Sequence, residues 1–265
     1  MSLTKNLGDT KIGNTYFILS YTYAHSLDNA SGFRNRNSQV PAYNANLFYA
    51  SSDYDAKQRI SFSGGWDLPF RKVWESGPRR LLEGWTLAPI FSWNTGYPLD
   101  IFGGLFQQIE GGGVSGVGDD ELVRANLTSG AINILNPKRP GNLYFNPANF
   151  NTNYPAVDPN TNMLLNPAQA TLGTLPRNAF RGPGVTNLDL ALMKTTDLIG
   201  DRLKMQLRIE AFDVFNQAEF GAPDLNPFDS NFGQIQNTIG AGSVGTITAG
   251  GNPYRILQVA VRFQF

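Results

Sequence analysis

The stretch Arg255-Ile256-Leu257-Gln258-Val259-Ala260-Val261-Arg262-Phe263-Gln264-Phe265 decides the fold. On an extended chain, Leu257, Val259, Val261, Phe263 and Phe265 share one face, and Ile256, Gln258, Ala260, Arg262 and Gln264 share the other. One wholly apolar face and one mostly polar face, over ~9–11 residues, is what crossing a bilayer as a β-strand demands. The apolar side meets hydrocarbon and the polar side meets a wet interior. One such strand would also suit a soluble sandwich, so the fold depends on whether the chain repeats it.

Five more segments keep the period of two. In Tyr16–Ala24, Phe17, Leu19, Tyr21 and Tyr23 share a face. In Gln58–Phe70, Ile60, Phe62, Trp66, Leu68 and Phe70 oppose Arg59, Ser61, Ser63 and Asp67. In Gly84–Asn94, Trp85, Leu87, Phe91 and Trp93 oppose Thr86, Ser92 and Asn94, with Pro89 awkward for a strand interior. In Val185–Lys194, Leu188, Leu190 and Leu192 oppose Asn187 and Asp189. In Arg202–Phe212, Leu203, Met205, Leu207, Ile209 and Ala211 oppose Lys204, Gln206, Arg208 and Glu210. Apolar residues at every second position do not fit a helical period of 3.6.

The strands therefore fall near 14–25, 58–70, 84–96, 184–194, 202–213 and 255–265, and three long loops near 26–57, 97–183 and 214–254. Long loops alternate with short turns. If Phe265 ends at the periplasmic rim, every short turn falls on that rim and every long loop on the outer one, as outer-membrane barrels require. The stretch 97–183 holds nine prolines and a glycine-rich run, Gly103–Gly118, which disfavour helix and continuous ladder alike. As coil inside a compact soluble domain it would be implausible; as an outer loop it is ordinary. Asn46–Ser51 and Gly242–Ala249 could add short strands, though neither alternates cleanly. Tyr21, Tyr23, Trp66, Trp85, Trp93 and Phe265 lie toward strand ends on the apolar face, where interfacial aromatic girdles belong.

Composition narrows the function. The 265 residues carry 21 basic and 21 acidic side chains, so no electrostatic grip on nucleic acid is expected. Charged residues make up 16%, below the ~25% usual for soluble domains. Without cysteine there are no disulfides or thiolate sites. Met1-Ser2-Leu3-Thr4-Lys5-Asn6 has no apolar signal-peptide region, which leads to the expectation of a portion of a longer precursor.

Catalytic and ligand motifs fail on inspection. His25 has Ser26 and Asp28 beside it in sequence, but neighbours at those offsets on a strand end do not make a nucleophile–base–orienter array. A surface histidine at the outer rim is expected. Gly111-Gly112-Gly113-Val114-Ser115-Gly116 spells a dinucleotide fingerprint without the strand and helix that it needs. Asp158-Pro159-Asn160-Thr161-Asn162 starts like a calcium loop, but Met163 stands where glycine is required and Gln169 where glutamate is. Asp119-Asp120-Glu121 reads as a solvated loop tip. Neither an enzyme activity nor a cofactor or metal is expected. Lys204, Gln206, Arg208, Glu210 and Arg262 are the candidates for a lumen-facing strip.

An ordered set of stretches resembles the C-terminal part of TonB-dependent outer-membrane receptors, in particular the Oar-like group with an N-terminal carboxypeptidase-regulatory-like domain. The stretches are Ser20–Gly32, Asp53 and Asp55 before Gln58–Phe62, Asp67–Phe70, and Gly84-Trp85 with Thr95–Pro98. They continue with Phe145–Phe150, Arg177–Gly184, Leu188–Leu192 with Lys194, Glu210–Asn216 and the terminal strand. The resemblance covers nearly the whole chain. It implies a barrel of ~22 strands with a plugged lumen, of which this chain is about the last quarter. It also implies uptake of a scarce ligand driven by an energy-transducing inner-membrane complex, which would act only through a plug domain that is absent here. Leu257, Val259, Val261, Phe263 and Phe265 would form the strand that the barrel-assembly machinery recognises.

The expected fold is thus all-β, an antiparallel up-and-down transmembrane barrel segment of about 6–8 strands, incomplete, over residues 1–265 of a cell-outer-membrane protein of a Gram-negative-type bacterium. Its expected partners are outer-membrane lipid and the missing N-terminal strands and plug. A small self-standing porin-like barrel and a soluble secreted sandwich that binds glycans through its loops stay open.

Overall fold

Side chains that alternate along a strand cover one face of a sheet only if neighbouring strands hold a common register, because a slip of one residue turns every side chain over. Here the registers hold. Leu19 lies opposite Phe62, Phe62 opposite Phe91, Phe91 opposite Leu188, and Leu192 opposite Ile209, which faces Val259. The computed structural model describes residues 1–29, 31, 46, 48–107, 121–128, 131–151, 174–200, 202–227, 229–239 and 255–265. Seven strands form one antiparallel sheet in chain order: Ser2–Thr10, Gly13–Tyr23, Gln58–Asp67, Trp85–Asn94, Val185–Ile199, Leu203–Phe212 and Ile256–Gln264. The sheet is open, with the first and seventh strands as its edges.

Seven strands lie within the expected 6–8, and Ser2–Thr10 is the one that the period of two did not mark. In Ser2–Thr10 only Leu3 and Leu7 are large and apolar, and Lys5 stands between them, which breaks the alternation. Pairing decides the matter: a two-residue turn, Lys11-Ile12, returns the chain so that Leu3 faces Leu19 and Lys5 faces Phe17. Gly13 takes φ +95°, where a side chain would collide with the Asp67 carbonyl.

Other boundaries move for local reasons. The third strand stops at Asp67 rather than running to Phe70, because Pro69 has no N–H for the ladder. The turn that follows contains two single-turn helices, Phe70–Val73 and Arg79–Leu82. Pro89 does sit mid-strand. The ladder between the third and fourth strands pairs Ser63 with Ile90 and resumes at Trp66 with Leu87, so the gap falls at the proline. The fifth strand runs on to Ile199, beyond the expected 194.

Alternating direction puts the turns after Thr10, Asp67 and Ile199 on one rim with the end of the seventh strand, and the long connections on the other. Phe17, Phe62, Leu87, Leu207 and Val261 do not converge in a closed interior. They lie on one face of the sheet, with Phe17 against Phe62, Phe62 opposite Phe91, Leu87 opposite Leu192 and Leu207 opposite Val261, and no second sheet packs on it among the described residues.

The buried core lies elsewhere. Ile101, Ala125, Phe145, Phe150, Leu175, Phe180 and Phe232 make one cluster, all drawn from the long connections. The stretch 97–183 is therefore more than an ordinary outer loop: it supplies six of these seven residues, and Phe232 joins from the last connection. Short ladders hold this cap in place. Leu27–Asp28 pairs Ala50–Ser51, Pro98–Leu99 pairs Phe180–Arg181, Asn126–Leu127 pairs Phe150–Asn151, and Glu219–Phe220 pairs Thr238–Ile239. Glu121–Arg124 is likewise a strand, paired with Phe102–Gln107, so Glu121 is no loop tip. Gly111–Gly116, Asp158–Asn162 and Gly242–Ala249 lie outside the described residues.

Candidate functional site: the polar wall and the loop cap above it

The polar face of the sheet faces away from the apolar one by the same register. Across the third to fifth strands it carries Ser61, Ser63, Ser92, Asn187 and Asp189, joined by Ser20 from the second. These residues line a groove of about 400 Å³. Ile18, Phe62, Ile90 and Phe91 line it as well, so four serine hydroxyls stand on a surface that is more apolar than polar. Its one carboxylate, Asp189, accepts from the Asn187 amide at 3.0 Å and from the Asp213 N–H at 2.9 Å.

Farther along the same face the strip becomes charged. Lys204, Gln206, Arg208 and Glu210 stand opposite Gln264, Arg262, Ala260 and Gln258. Arg208 donates to Glu210 at 2.6 Å, and Lys204 comes within 3.9 Å of Asp197. Register thus brings the five strip residues onto one surface, beside the fifth strand, whose Asn187 and Asp189 line the serine groove.

Above the wall, two arginines lock the first long connection to the second. Arg177 is buried, its side chain 2% exposed. It donates to the Asp28 carboxylate at 2.7 Å, to Asp53 at 3.1 Å, to the Phe48 carbonyl at 3.4 Å and to the Ser31 hydroxyl. A buried guanidinium needs this many acceptors, since each unmet donor there carries a desolvation cost. Asn178, held at φ +53°, donates to the Ser51 carbonyl and to Asp53. Arg181 donates to the carbonyl and carboxylate of Asp55 and, at 2.9 Å, to the Gly96 carbonyl. His25 joins this second knot, with Nδ1 2.9 Å from Asp55 Oδ2. Ser26 contributes its backbone N–H to Asp55, not its hydroxyl.

Burial pushes both the Asp28 and Asp55 carboxyls up, but their hydrogen bonds and the arginine charges outweigh it and hold them below the ordinary carboxylate range. Glu219, buried near Asp213, goes the other way and is pushed up. Beside Arg177, residues Asp53, Pro98, Leu99, Asp100, Asn178 and Leu225 enclose a recess of about 120 Å³. Among the described residues no group of three or more carboxylate, imidazole or thiol side chains is placed to hold a metal ion.

A family model for the outer membrane beta barrel domain matches residues 9–258. The chain belongs to that family. No curated protein matches it, and no solved structure does. It is therefore an outer-membrane barrel protein, and in such barrels the outward apolar band is the surface that meets lipid. The aromatic residues suit this surface. Trp85 and Trp93 bracket the fourth strand, eight residues apart. At ~3.3 Å per residue and ~40° of tilt they stand roughly 20 Å apart along the membrane normal. The Trp66 and Trp85 indoles donate to the Ile12 and Leu81 carbonyls at the short-turn rim.

Sequence reasoning singled out the wall residues and missed the network as a unit. Asp53, Asp55, Arg177 and Arg181 entered only as letters within resembling stretches. Their signal was available as charge surrounded by loop: two arginines within a Pro/Gly-rich run, and two aspartates ahead of a strand.

Proposed function

We propose that the chain forms part of the barrel wall and outer cap of a TonB-dependent receptor that takes up a scarce ligand across a Gram-negative outer membrane. One observation carries this reading: the seven-stranded sheet is open, and its two edge strands run in the same direction. An up-and-down sheet with an odd number of strands closes with antiparallel pairing only when an odd number of further strands is added. The added set must also begin and end on strands that run opposite to these edges; a second copy in the same membrane orientation presents edges that run the same way, which would leave parallel seams. That weighs against the porin-like reading, in which copies close the barrel together. The sandwich reading needs a second layer over the apolar face, and none of the described residues forms one.

In this proposal the polar wall, including Lys204, Gln206, Arg208, Glu210 and Arg262, faces the lumen and a plug supplied by the remainder of the receptor. The cap forms the mouth. The seventh strand, through Leu257, Val259, Val261, Phe263 and Phe265, is what the assembly machinery reads. The chain performs no catalysis. Energy reaches it only through the plug.

The test is expression with a signal peptide, the plug and the preceding strands. The expected product is a heat-modifiable band in outer-membrane fractions, with ligand uptake lost when the inner-membrane energising complex is deleted. A chain that stays monomeric and soluble without detergent would overturn the proposal.

A further inference from the structure

The short-turn rim carries a feature that barrel closure does not require. A tight turn of two residues would join the third and fourth strands, yet the chain spends residues 68–84 there on two helical turns. The segment folds onto the lipid side of the wall. Phe70 meets the Trp85 ring edge-on at 6.3 Å, and the Trp85 indole donates to the Leu81 carbonyl at 2.7 Å. Lys194 reaches over the same ring at 5.7 Å and donates to the Glu83 carbonyl. Leu82 fills the inside of the turn against Gly77 and Trp74. What remains outside is apolar: Val73 is 82% exposed, Leu81 66% and Trp74 60%, with Phe70 and, on the neighbouring turn, Ile12 beside them.

Four basic residues, Arg71, Lys72, Arg79 and Arg80, stand among these side chains against two acids, Glu75 and Glu83. Glu83 is held closely by Arg79 at 3.0 Å and more loosely by Arg71 at 4.0 Å, which leaves Arg80 without an acid beside it among the described residues and Arg71 only weakly paired. Large apolar side chains in water are costly to leave uncovered. This patch is continuous with the lipid-facing sheet at its interfacial aromatic level, and its excess charge is positive. Interfacial segments that bury tryptophan and leucine while presenting arginine to phosphate have this composition.

We infer that residues 68–84 form a periplasmic-leaflet anchor, in which Val73, Trp74 and Leu81 enter the bilayer interface and Arg71 and Arg80 hold the phosphates of anionic phospholipid headgroups. The inference rests on the outward face lying in lipid. The guanidinium forks suit phosphate oxygens in a way that lysine does not match.

The experiment refolds the full chain into phosphatidylcholine vesicles, with or without one-fifth phosphatidylglycerol, and with brominated acyl chains as a quencher. The chain has four tryptophans, and Trp74 is isolated by subtracting the spectrum of Trp74→Phe. The expected result is at least twofold quenching of the Trp74 component by brominated lipid. Phosphatidylglycerol should lower its access to aqueous acrylamide at least threefold, and Arg71→Gln/Arg80→Gln should remove that lipid preference. Quenching of Trp66, Trp85 and Trp93 without quenching of Trp74 would overturn the anchor and leave the wall in lipid, and a protein would then be the occupant of the turn. Quenching of none of the four would overturn the membrane placement of the wall itself, and the anchor with it. Quenching of Trp74 with a phosphatidylglycerol preference that Arg71→Gln/Arg80→Gln leaves unchanged would overturn headgroup binding.

Discussion

Arg177 has the most to lose at the scale of single residues. Its donors are all directed at acceptors from a different connection, and its side chain is almost sealed from water. Replacing it with methionine keeps much of the volume but strands Asp28 and Asp53. Asp28 and Asp53 keep 26% and 42% exposure, so the loss falls below the ~3–5 kcal/mol of breaking a fully buried pair. Arg177→Met should therefore open the cap to proteolysis while the strands stay inserted, and limited proteolysis in vesicles beside strand protection would show it. The same knots are acid-sensitive in a fixed direction. Asp28 and Asp55 titrate below their unfolded range, so their contribution is complete above roughly pH 4 and is lost as pH falls through the lower folded-state values. Cap protection should thus be flat from pH 7 to pH 5 and decline only in stronger acid. A decline already centred at pH 6 would contradict this origin.

Phe145 plays the same part in the cap's core. It is fully buried and meets Phe150, Phe180 and Phe232 edge-on at 5.3, 5.4 and 5.2 Å. Gly233 has to be glycine there, since at φ +83° an added Cβ would come within 3.0 Å of the Phe145 ring. Phe145→Ala removes a ring on which three others rest, at a cost of about 3–5 kcal/mol. Cap protease resistance should fall, with little change in the heat-modifiable band.

At the scale of elements, the two faces of a strand obey different solvents. Leu190 faces Pro89, halfway between Trp85 and Trp93, on the apolar side. Leu190→Lys places a charge near the bilayer midplane and should cost about 2–4 kcal/mol in vesicle refolding titrations. Gln206→Lys, on the opposite face, should change stability by no more than about 0.5 kcal/mol. Equal effects of the two would mean that the faces are misassigned. The strands were legible because each one repeats its own message every second residue, as the sixth strand does from Leu203 to Ala211. Ser2–Thr10 was not legible, because with Lys5 between Leu3 and Leu7 its identity as a strand rests on the partner that it pairs with.

At the scale of the molecule, parity is the governing fact. The first and seventh strands are parallel, so they cannot zip together as antiparallel neighbours, either within one chain or between two. The chain has no native cysteine, so engineered pairs report cleanly. Gln206→Cys/Arg262→Cys, directly opposed in the sheet, should cross-link readily on oxidation. Thr4→Cys combined with Arg262→Cys should give neither an intramolecular nor an intermolecular bond. Efficient edge-to-edge cross-linking would show that the sheet closes on itself or on a copy.

The sequence alone determined the wall: which residues alternate, which face is greasy, and which rim carries the short turns. All of that is encoded within a few neighbouring positions by the two-residue period of an extended chain. The cap was decided only in three dimensions. Asp28 and Arg177 stand 149 positions apart, and Phe145 meets Phe232 from another connection, so no local pattern announces either contact. Irregular segments lack a repeating geometry. What they bury is set by where the strands deliver their ends, and only the assembled sheet fixes that.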